Sequence, residues 1–370
     1  MNRARFVIIG AGVAGAATAY GLARRGVRDI IILERENVVG SHASGRNAAL
    51  VRRNLKTEMD CYLSLAAAKW MKRPPADFPR ELQFEETGSL LLFNNNESAR
   101  VEKEFKIQQK AGLQFEQITS KEAKAIQPLL DNRAFECAQW TPGDGRVDIV
   151  NLLFGYLEFA ARMGARIQCG VRVDSLITNR GRCEGLRTNV GDFHGDWIIN
   201  AAGGWANQMI QNAAPRVSMT PCRRTMLVTE NVNADRSRPF TWDDGKSFYF
   251  REDFGGLLWS PCDETPAEDC KQNVDPAWIE RARDSARQLI PSVANAKINY
   301  QWACLRTLTF DREMFIGPDP LLPQLFWVAG LGGHGVTNSP MIAEIASDLL
   351  LNETCEWIDP ARVAPRRPSR

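Results

Sequence analysis

Phe6-Val-Ile-Ile-Gly10-Ala-Gly12-Val-Ala-Gly15-Ala-Ala-Thr-Ala-Tyr20 is an apolar run followed by three glycines at the spacing GxGxxG. The run 6–9 predicts a buried strand, and the small residues over 14–25 predict a helix. Between them Gly10 permits a tight turn, Gly12 lets the backbone approach a pyrophosphate, and Gly15 lets the helix pack on the strand. Val13 and Ala14, at the start of that helix, offer free N–H groups and a positive dipole end to the phosphates. A second apolar run, Asp29-Ile-Ile-Ile-Leu-Glu34, ends in an acid 19 residues after Gly15. A carboxylate there accepts hydrogen bonds from ribose hydroxyls and disfavours a 2′-phosphate. Arg35 beside it is expected along the adenosine or in solvent. Arg3 and Arg5 ahead of the apolar run imitate a secretory signal, yet only the strand-and-turn reading accounts for each glycine.

The chain has 370 residues, 44% hydrophobic and 24% charged, ample for the cores of one or two large domains. Lys and Arg number 46 against 44 Asp and Glu, and a net charge of +2 excludes a nucleic-acid partner. Arg362, Arg366, Arg367 and Arg370 crowd the end, and without them the body carries −2. The closing stretch 360–370 is expected to be a surface tail. Only three histidines occur, so a multi-histidine metal site is nearly excluded. His42 is expected near phosphate, and His194 in a surface turn. Nine scattered cysteines with no CxxC pair read as reduced thiols. No apolar run reaches the ~18 residues of a membrane span. A cytoplasmic protein is expected, with attachment to a membrane surface left open.

Three stretches carry strand, turn and helix patterns: 1–50, about 145–215, and 300–352. In the second, a helix is expected over 148–163, strands at 165–173 and 183–188, and a strand and turn at 197–207. Between these stretches lie the strand-like 86–93 and the alternating runs 223–230, 247–253 and 255–261. Alternation predicts antiparallel strands with one solvated face. The expected fold class is α/β with two domains interleaved along the chain. Residues 1–53, 141–215 and 301–370 form a Rossmann-like dinucleotide domain. Residues 54–140 and 216–300 form an α+β, antiparallel-sheet substrate domain.

Two more glycine-rich stretches bear on the length of the dinucleotide. Gly40-Ser41-His-Ala-Ser44-Gly45-Arg46-Asn47-Ala48-Ala49 supplies hydroxyls, a guanidinium and an amide just after the ribose acid. Such groups can wrap a second phosphate and the linker beyond it. Phe326-Trp-Val-Ala-Gly330-Leu-Gly332-Gly333-His334-Gly335-Val336-Thr337 is a strand ending in a glycine cluster. A helix is expected from about Pro340 to Leu351, capped by Asn338 or Ser339, with Pro340 in its first turn. Its positive end suits the anionic reduced form of a flavin. Two such turns at opposite ends of the chain favour FAD over NAD.

With Ile199-Asn-Ala-Ala-Gly203-Gly204-Trp205-Ala206 and Leu305-Arg306-Thr-Leu-Thr-Phe-Asp311-Arg-Glu-Met-Phe-Ile316-Gly317, these motifs resemble the FAD-dependent D-amino acid oxidase (DAO) family over essentially the whole chain. The second stretch is similar to the family's LRP-x-T-x-D-x-x-P-x-IG, with Thr307 in place of Pro. Asp359-Pro-Ala-Arg362 is similar to its usual close. Glycine and sarcosine oxidases are similar, and the nearest likeness within the family is to D-arginine and other D-amino acid dehydrogenases. It rests on Arg46-Asn-Ala-Ala49, Cys222-Arg223-Arg224, Ser247-Phe-Tyr249 and Trp302-Ala-Cys304-Leu-Arg306. The resemblance implies a cofactor domain of the glutathione-reductase type. It implies FAD contacts along the first glycine turn, at Glu34 and Arg35, and through the loop Ser41 to Ala49. Further contacts are implied at Val173, Ala201, Ala202, Gly203 and Trp205, and at Arg306. The last turn adds Gly332, Gly333, His334, Gly335, Val336 and Thr337.

The implied chemistry is removal of hydride from an amine-bearing carbon to flavin N5, the work of an amino acid or amine oxidoreductase (EC 1.4/1.5 type). Arg306 is expected to grip the substrate carboxylate bidentately, with Tyr249 donating a second hydrogen bond. Arg223 or Arg224 lies near flavin or substrate. His334 either contacts substrate or holds a structural bond. Cys304 stands where sarcosine oxidases attach flavin covalently. A small buried thiol and non-covalent FAD are preferred.

Ser89 stands where D-arginine dehydrogenases have an acid, and Leu50 and Leu55 where they have His and Tyr. Arg52 and Arg53 follow nearby. A cationic side chain would lack its carboxylate. The expected substrate is therefore not D-arginine but a small, apolar or acidic amino acid, a secondary amine, or a hydroxy acid. Leu258 stands where sarcosine oxidases hold a lysine for the reaction with O2. This favours a dehydrogenase that passes electrons to a quinone or other carrier. The rivals are 2-hydroxy acid oxidation on the same fold and a non-catalytic FAD-binding subunit. The Arg306 and Tyr249 pair argues against the second.

Overall fold

Strands Arg3–Ile9 and Ile30–Leu33 bury nearly all their residues, as parallel strands covered on both faces do. In the computed structural model, which describes residues 2–367 except 211, 212, 215 and 268, they lie side by side in one layer. Arg370 and the expected boundary at 215 fall outside the described residues. Arg3–Ile9 pairs in parallel with Ile30–Leu33 on one side and Gly191–Asn200 on the other. Arg166–Gln168 pairs in parallel with Ile30–Leu33 and Leu325–Ala329 with Gly191–Asn200, and Val173–Asn179, Arg182–Thr188 and Phe315–Pro318 extend the layer with antiparallel pairings. Helices Val13–Arg24, Ile149–Arg162 and Gly335–Leu350 pack over it. A Cβ on Gly21 would come within 2.2 Å of the Ala343 carbonyl oxygen, so the first and last of these helices meet backbone to backbone. Helix Glu58–Lys72 adds Met59, Leu63, Ala67 and Met71 to the same core, although its sequence position assigns it to the other domain.

The second sheet has eight strands in the order Ile298–Thr309, Met219–Thr229, Gly256–Ser260, Phe248–Asp253, Phe240–Asp243, Ser89–Phe93, Cys137–Thr141, Glu116–Thr119. Every pairing is antiparallel except Phe240–Asp243 with Ser89–Phe93. The expected solvated face is absent from its centre, where Gly256–Ser260 is buried throughout. One face packs with helix Pro276–Leu289 around Phe248, Phe250 and Trp259. On the other, Ala48 and Leu50 pack on Met226, Tyr249 and Leu258. Strand Ile298–Thr309 crosses the expected 300/301 boundary and pairs with Met219–Thr229 along its length. It thereby carries Arg306 from the second sheet toward the first layer.

Three expectations are corrected. The last long helix begins at Gly335 with His334 as N-cap, not at Pro340. Pro340 lacks the N–H that the Val336 carbonyl needs, and the Ser339 hydroxyl donates to that carbonyl instead at 3.0 Å. His194 lies on the strand Gly191–Asn200, paired with Gly185, rather than in a turn. The chain end is no loose tail. Val363 is fully buried, Arg366 bonds Asp319, and Arg367 bonds Asp311 at 2.6 Å and the Met314 carbonyl at 3.3 Å. The stretch looks polar because its partners are acids some fifty residues away.

Arg367→Met keeps the bulk of that side chain and leaves Asp311 without its partner. It should lower unfolding free energy by about 3 kcal/mol, since breaking a buried ion pair strands a charge. Urea denaturation reads this, and an unchanged midpoint would refute the staple.

Candidate active site

Parallel register brings the strand ends to one edge. The Gly10 N–H donates to the Leu33 carbonyl at 2.7 Å, and the Ala201 N–H to the Ile9 carbonyl at 3.1 Å. Beyond these ends opens a cavity of about 460 Å³, where a doubly wound sheet is expected to bind its ligand. Gly10, Gly12, Val13 and Ala14 line it, with Glu34, Arg35, Ser41, Ser44 and Asn47. So do Val173, residues 201–205, Arg306 and the last glycine turn.

Each oxygen of Glu34 accepts one backbone N–H, from Ala11 and Glu36, both at 2.9 Å. Lone pairs remain on both for ribose hydroxyls. The Ser44 hydroxyl accepts the Val13 N–H at 2.8 Å, tying the loop to the helix start. Asn47 donates to the Ser44 carbonyl at 2.6 Å and accepts from the Ala49 N–H at 2.6 Å. That brace holds Ala49 at φ +55. Arg35 lies 4.2 Å from the Trp205 ring centroid. A Cβ on Gly10, whose φ is +98, would stand 2.7 Å from the Ala201 oxygen. One on Gly15 would stand 2.0 Å from the Gly10 oxygen. A cradle without side chains at one end, an acid beside it and a second glycine turn at the other fit a ligand as long as FAD.

A second cavity, about 800 Å³, meets the first at Asn47, Arg306, Gly332, Gly333 and Val336. Arg306 Nη1 donates to Cys304 Sγ at 3.1 Å, and the Tyr249 hydroxyl to Met226 Sδ at 3.2 Å. Sulfur is a weak acceptor, and a carboxylate would replace both bonds with stronger charge-assisted ones. Burial pushes the Tyr249 phenol up to about 12 against the pull of Arg306 and Arg224, so it remains a donor. Arg224 faces this cavity and is braced by the Asp263 carbonyl and Glu264. Arg223 instead reaches Asn273. Burial pushes His334 down to about 3, with Arg52, Arg306, Arg224 and Lys56 acting in the same direction. Its imidazole is neutral at any ordinary pH.

The structure separates the expected residues. Ala48, Ala49, Leu50, Arg52, His334 and Thr337 line the second cavity rather than the first. Gly15 and Gly45 are packing glycines, and Arg46 turns to Gln272 at 3.3 Å. Ser89 lines neither cavity. It lies in the interior, donating to Asp144 at 2.7 Å, and Asp144 also holds Arg53 at 2.8 Å. His42 bonds Glu36 and Gln272 and packs on Trp205. Cys304 is fully buried beneath Arg306. Leu258 is buried among Met226 and Tyr249 and lines neither cavity. Sequence reasoning missed Trp242, Lys56, Asp244 and Cys262, which line the second cavity. Only the short run Phe240-Thr-Trp-Asp243 hinted at the first.

Residues 5–349 match the FAD dependent oxidoreductase (DAO) family. The chain is 24% identical over 369 residues to 4-methylaminobutanoate oxidase (formaldehyde-forming) of Paenarthrobacter nicotinovorans, covering 96% of this chain and 43% of that protein. It is 25% identical over 383 residues to mitochondrial dimethylglycine dehydrogenase of Homo sapiens, covering 95% and 43%. The chain thus spans less than half the length of these curated relatives. L-proline dehydrogenase from P. horikoshii superposes with a TM-score of 0.90 at 23% identity, over 99% of this chain and 98% of that one.

Two outcomes follow from the geometry. Gly15→Ala should cost at least about tenfold in flavin retention, some 1.4 kcal/mol, because its Cβ meets backbone that cannot yield. The ratio of visible to ultraviolet absorbance after purification measures it. His334→Gln should change the level of kcat/KM but leave the shape of its pH profile alone between pH 5 and 8. A lost acid limb in that window would show that His334 titrates there.

Proposed function

The chain belongs to the FAD-dependent oxidoreductase (DAO) family, and on that premise we propose that it oxidises the CH–NH bond of a carboxylate-bearing amino acid or secondary amine. One observation carries the reading. Among the described residues, Arg306 at the junction of the two cavities and Tyr249 in the wall of the second donate only to sulfur atoms. When bound, FAD supplies the hydride acceptor. Gly10, Gly12, Glu34 and the turns at 201–205 and 330–336 would hold it. Arg306 and Tyr249 bind and orient the substrate carboxylate. Neutral His334 offers the amine a hydrogen bond, but it is too weak a base to hold an ammonium proton. The amine therefore sheds its proton to solvent rather than to this side chain. Leu50, Leu55 and Trp242 exclude water from the rest of the wall.

D-Arginine is disfavoured, since Arg52, Arg224 and Arg306 face the cavity that would receive its guanidinium. Asp244, an acid on that wall, is already paired with Lys56 at 3.0 Å and Arg100 at 3.4 Å. The proposal includes non-covalent FAD, with Cys304 supporting Arg306, and a quinone or other carrier as electron acceptor. It includes interleaved cofactor and substrate domains, and a cytoplasmic site of action. Among the described residues no helix is long and apolar enough to cross a membrane.

Anaerobic bleaching of the bound flavin by amino acids or N-alkyl amino acids, with ammonia or amine released, is the expected result. Bleaching by 2-hydroxy acids alone would overturn it. Arg306→Lys should lower kcat/KM about 100-fold, because a point charge replaces a bidentate fork. D-Arginine turning over faster than D-alanine or D-glutamate would contradict the substrate assignment.

A further inference from the structure

Arg306 is not the only guanidinium in the second cavity without a carboxylate. Arg52 donates from Nε to Asn54 Oδ1 at 2.7 Å and from Nη2 to the Asn54 carbonyl at 3.2 Å. Among the described residues Nη1 has no partner, and no acid lies within salt-bridge distance of the group. Its neighbour Arg53 is different, being paired with buried Asp144. The acids lining the cavity are bonded to other groups, and the nearest in effect is Asp244, whose carboxyl Arg52 holds down against burial across a distance longer than an ion pair. Asp244 serves Lys56 and Arg100, and Glu97 serves Arg100. Glu264 serves Arg224 and Arg312, and Asp311 serves Arg367. Asp60 accepts the Thr57 hydroxyl, and burial raises its carboxyl to about 6.

Arg52 is also held in place. Its guanidinium carbon lies 4.6 Å from the Trp242 ring centroid, and Trp242 stacks on Tyr249 at 4.5 Å with planes 21° apart. Asn54, which grips Arg52, is itself fixed by Ser89 and Thr141. The guanidinium therefore stands one indole away from the tyrosine that flanks Arg306. Among the charges acting on His334, Arg52 ranks first, ahead of Arg306, so both bear on the same region of the cavity. Leaving a partly buried cation unpaired is costly unless an anion arrives.

We propose that Arg52 binds a second carboxylate, so that the substrate is an aminodicarboxylic acid, its first carboxylate on Arg306 and its second on Arg52. This rests on the amine oxidation argued above. It separates acidic substrates from the small apolar ones that Arg306 alone would accept. A diacid also engages both guanidiniums that lack a bonded carboxylate, where a monoacid engages one.

The test compares acids with their neutral partners on the FAD-loaded protein. The pairs are aspartate with asparagine and glutamate with glutamine in both enantiomers, and N-carboxymethylglycine with N-methylglycine. The acid should lead in kcat/KM by about 30-fold, the value of one charge-assisted hydrogen-bonded contact. Arg52→Gln should collapse that ratio, chiefly through KM for the acid, while Arg52→Lys should keep most of it. A purely structural role for Arg52 would lower both members alike. Equal turnover of acid and neutral partners in the native protein, or an unchanged ratio in Arg52→Gln, overturns the proposal. Malate against lactate keeps the two failures apart. Diacid preference among hydroxy acids without amine turnover overturns amine oxidation and retains the role of Arg52. Amine turnover without diacid preference does the reverse. No flavin reduction by either series overturns both.

Discussion

The parallel pairing of Arg3–Ile9 with Gly191–Asn200 is the constraint on which the rest depends. It sets Ala201 against Gly10 so closely that no side chain fits between them. Because both strands stop at one edge, their loops turn outward together and leave a cavity rather than a packed seam. Leu325–Ala329 joins the same edge from the far end of the chain. The positions of Glu34, the turn at 201–205 and the last glycine turn are consequences of this register. A slip of one residue would exchange the side chains that Arg3–Ile9 sends into the two cores on its faces and close the space.

The second sheet contributes a different material. Its long strand Ile298–Thr309 delivers Arg306, and its partner Met219–Thr229 delivers Arg224. The wall so built is cationic, but most of the charge is cancelled by acids within bonding distance. What is left over is small and localised. An uncancelled patch would attract any anion, whereas charge left over at a few guanidiniums acts locally.

The cofactor half was legible in the sequence because its signals are local. Gly10, Gly12, Gly15 and Glu34 lie within one strand–helix–strand unit, and each has a steric or hydrogen-bonding reason. The second cavity was legible only where a motif crossed it, at Arg306 and Tyr249. Trp242 and Asp244 come from a strand and the turn after it, and Lys56 from a loop that meets them only in the fold. Ser89 illustrates the limit. Its place in the sequence suggested a substrate contact, yet its strand pairs with Cys137–Thr141 and turns the hydroxyl inward to Asp144. Pro340 was misread because a proline usually marks a first turn, whereas here a neighbouring serine replaces the missing donor. The chain end was misread because acids far back in sequence hold it.

The two glycine turns that enclose the first cavity are separated by more than three hundred residues. Chain growth runs from the N-terminus, and domains fold as their parts appear. The first strand, glycine turn and helix emerge early but have only half a site to offer. Their parallel partner arrives with residue 200, and the opposite wall with residues 325–336. The cavity therefore cannot form until residues 325–336 have been made, and its ligand must be captured after that point. Until then the edge of Gly191–Asn200 that pairs with Leu325–Ala329 stays uncovered, which makes that interval one in which the growing chain is exposed to aggregation.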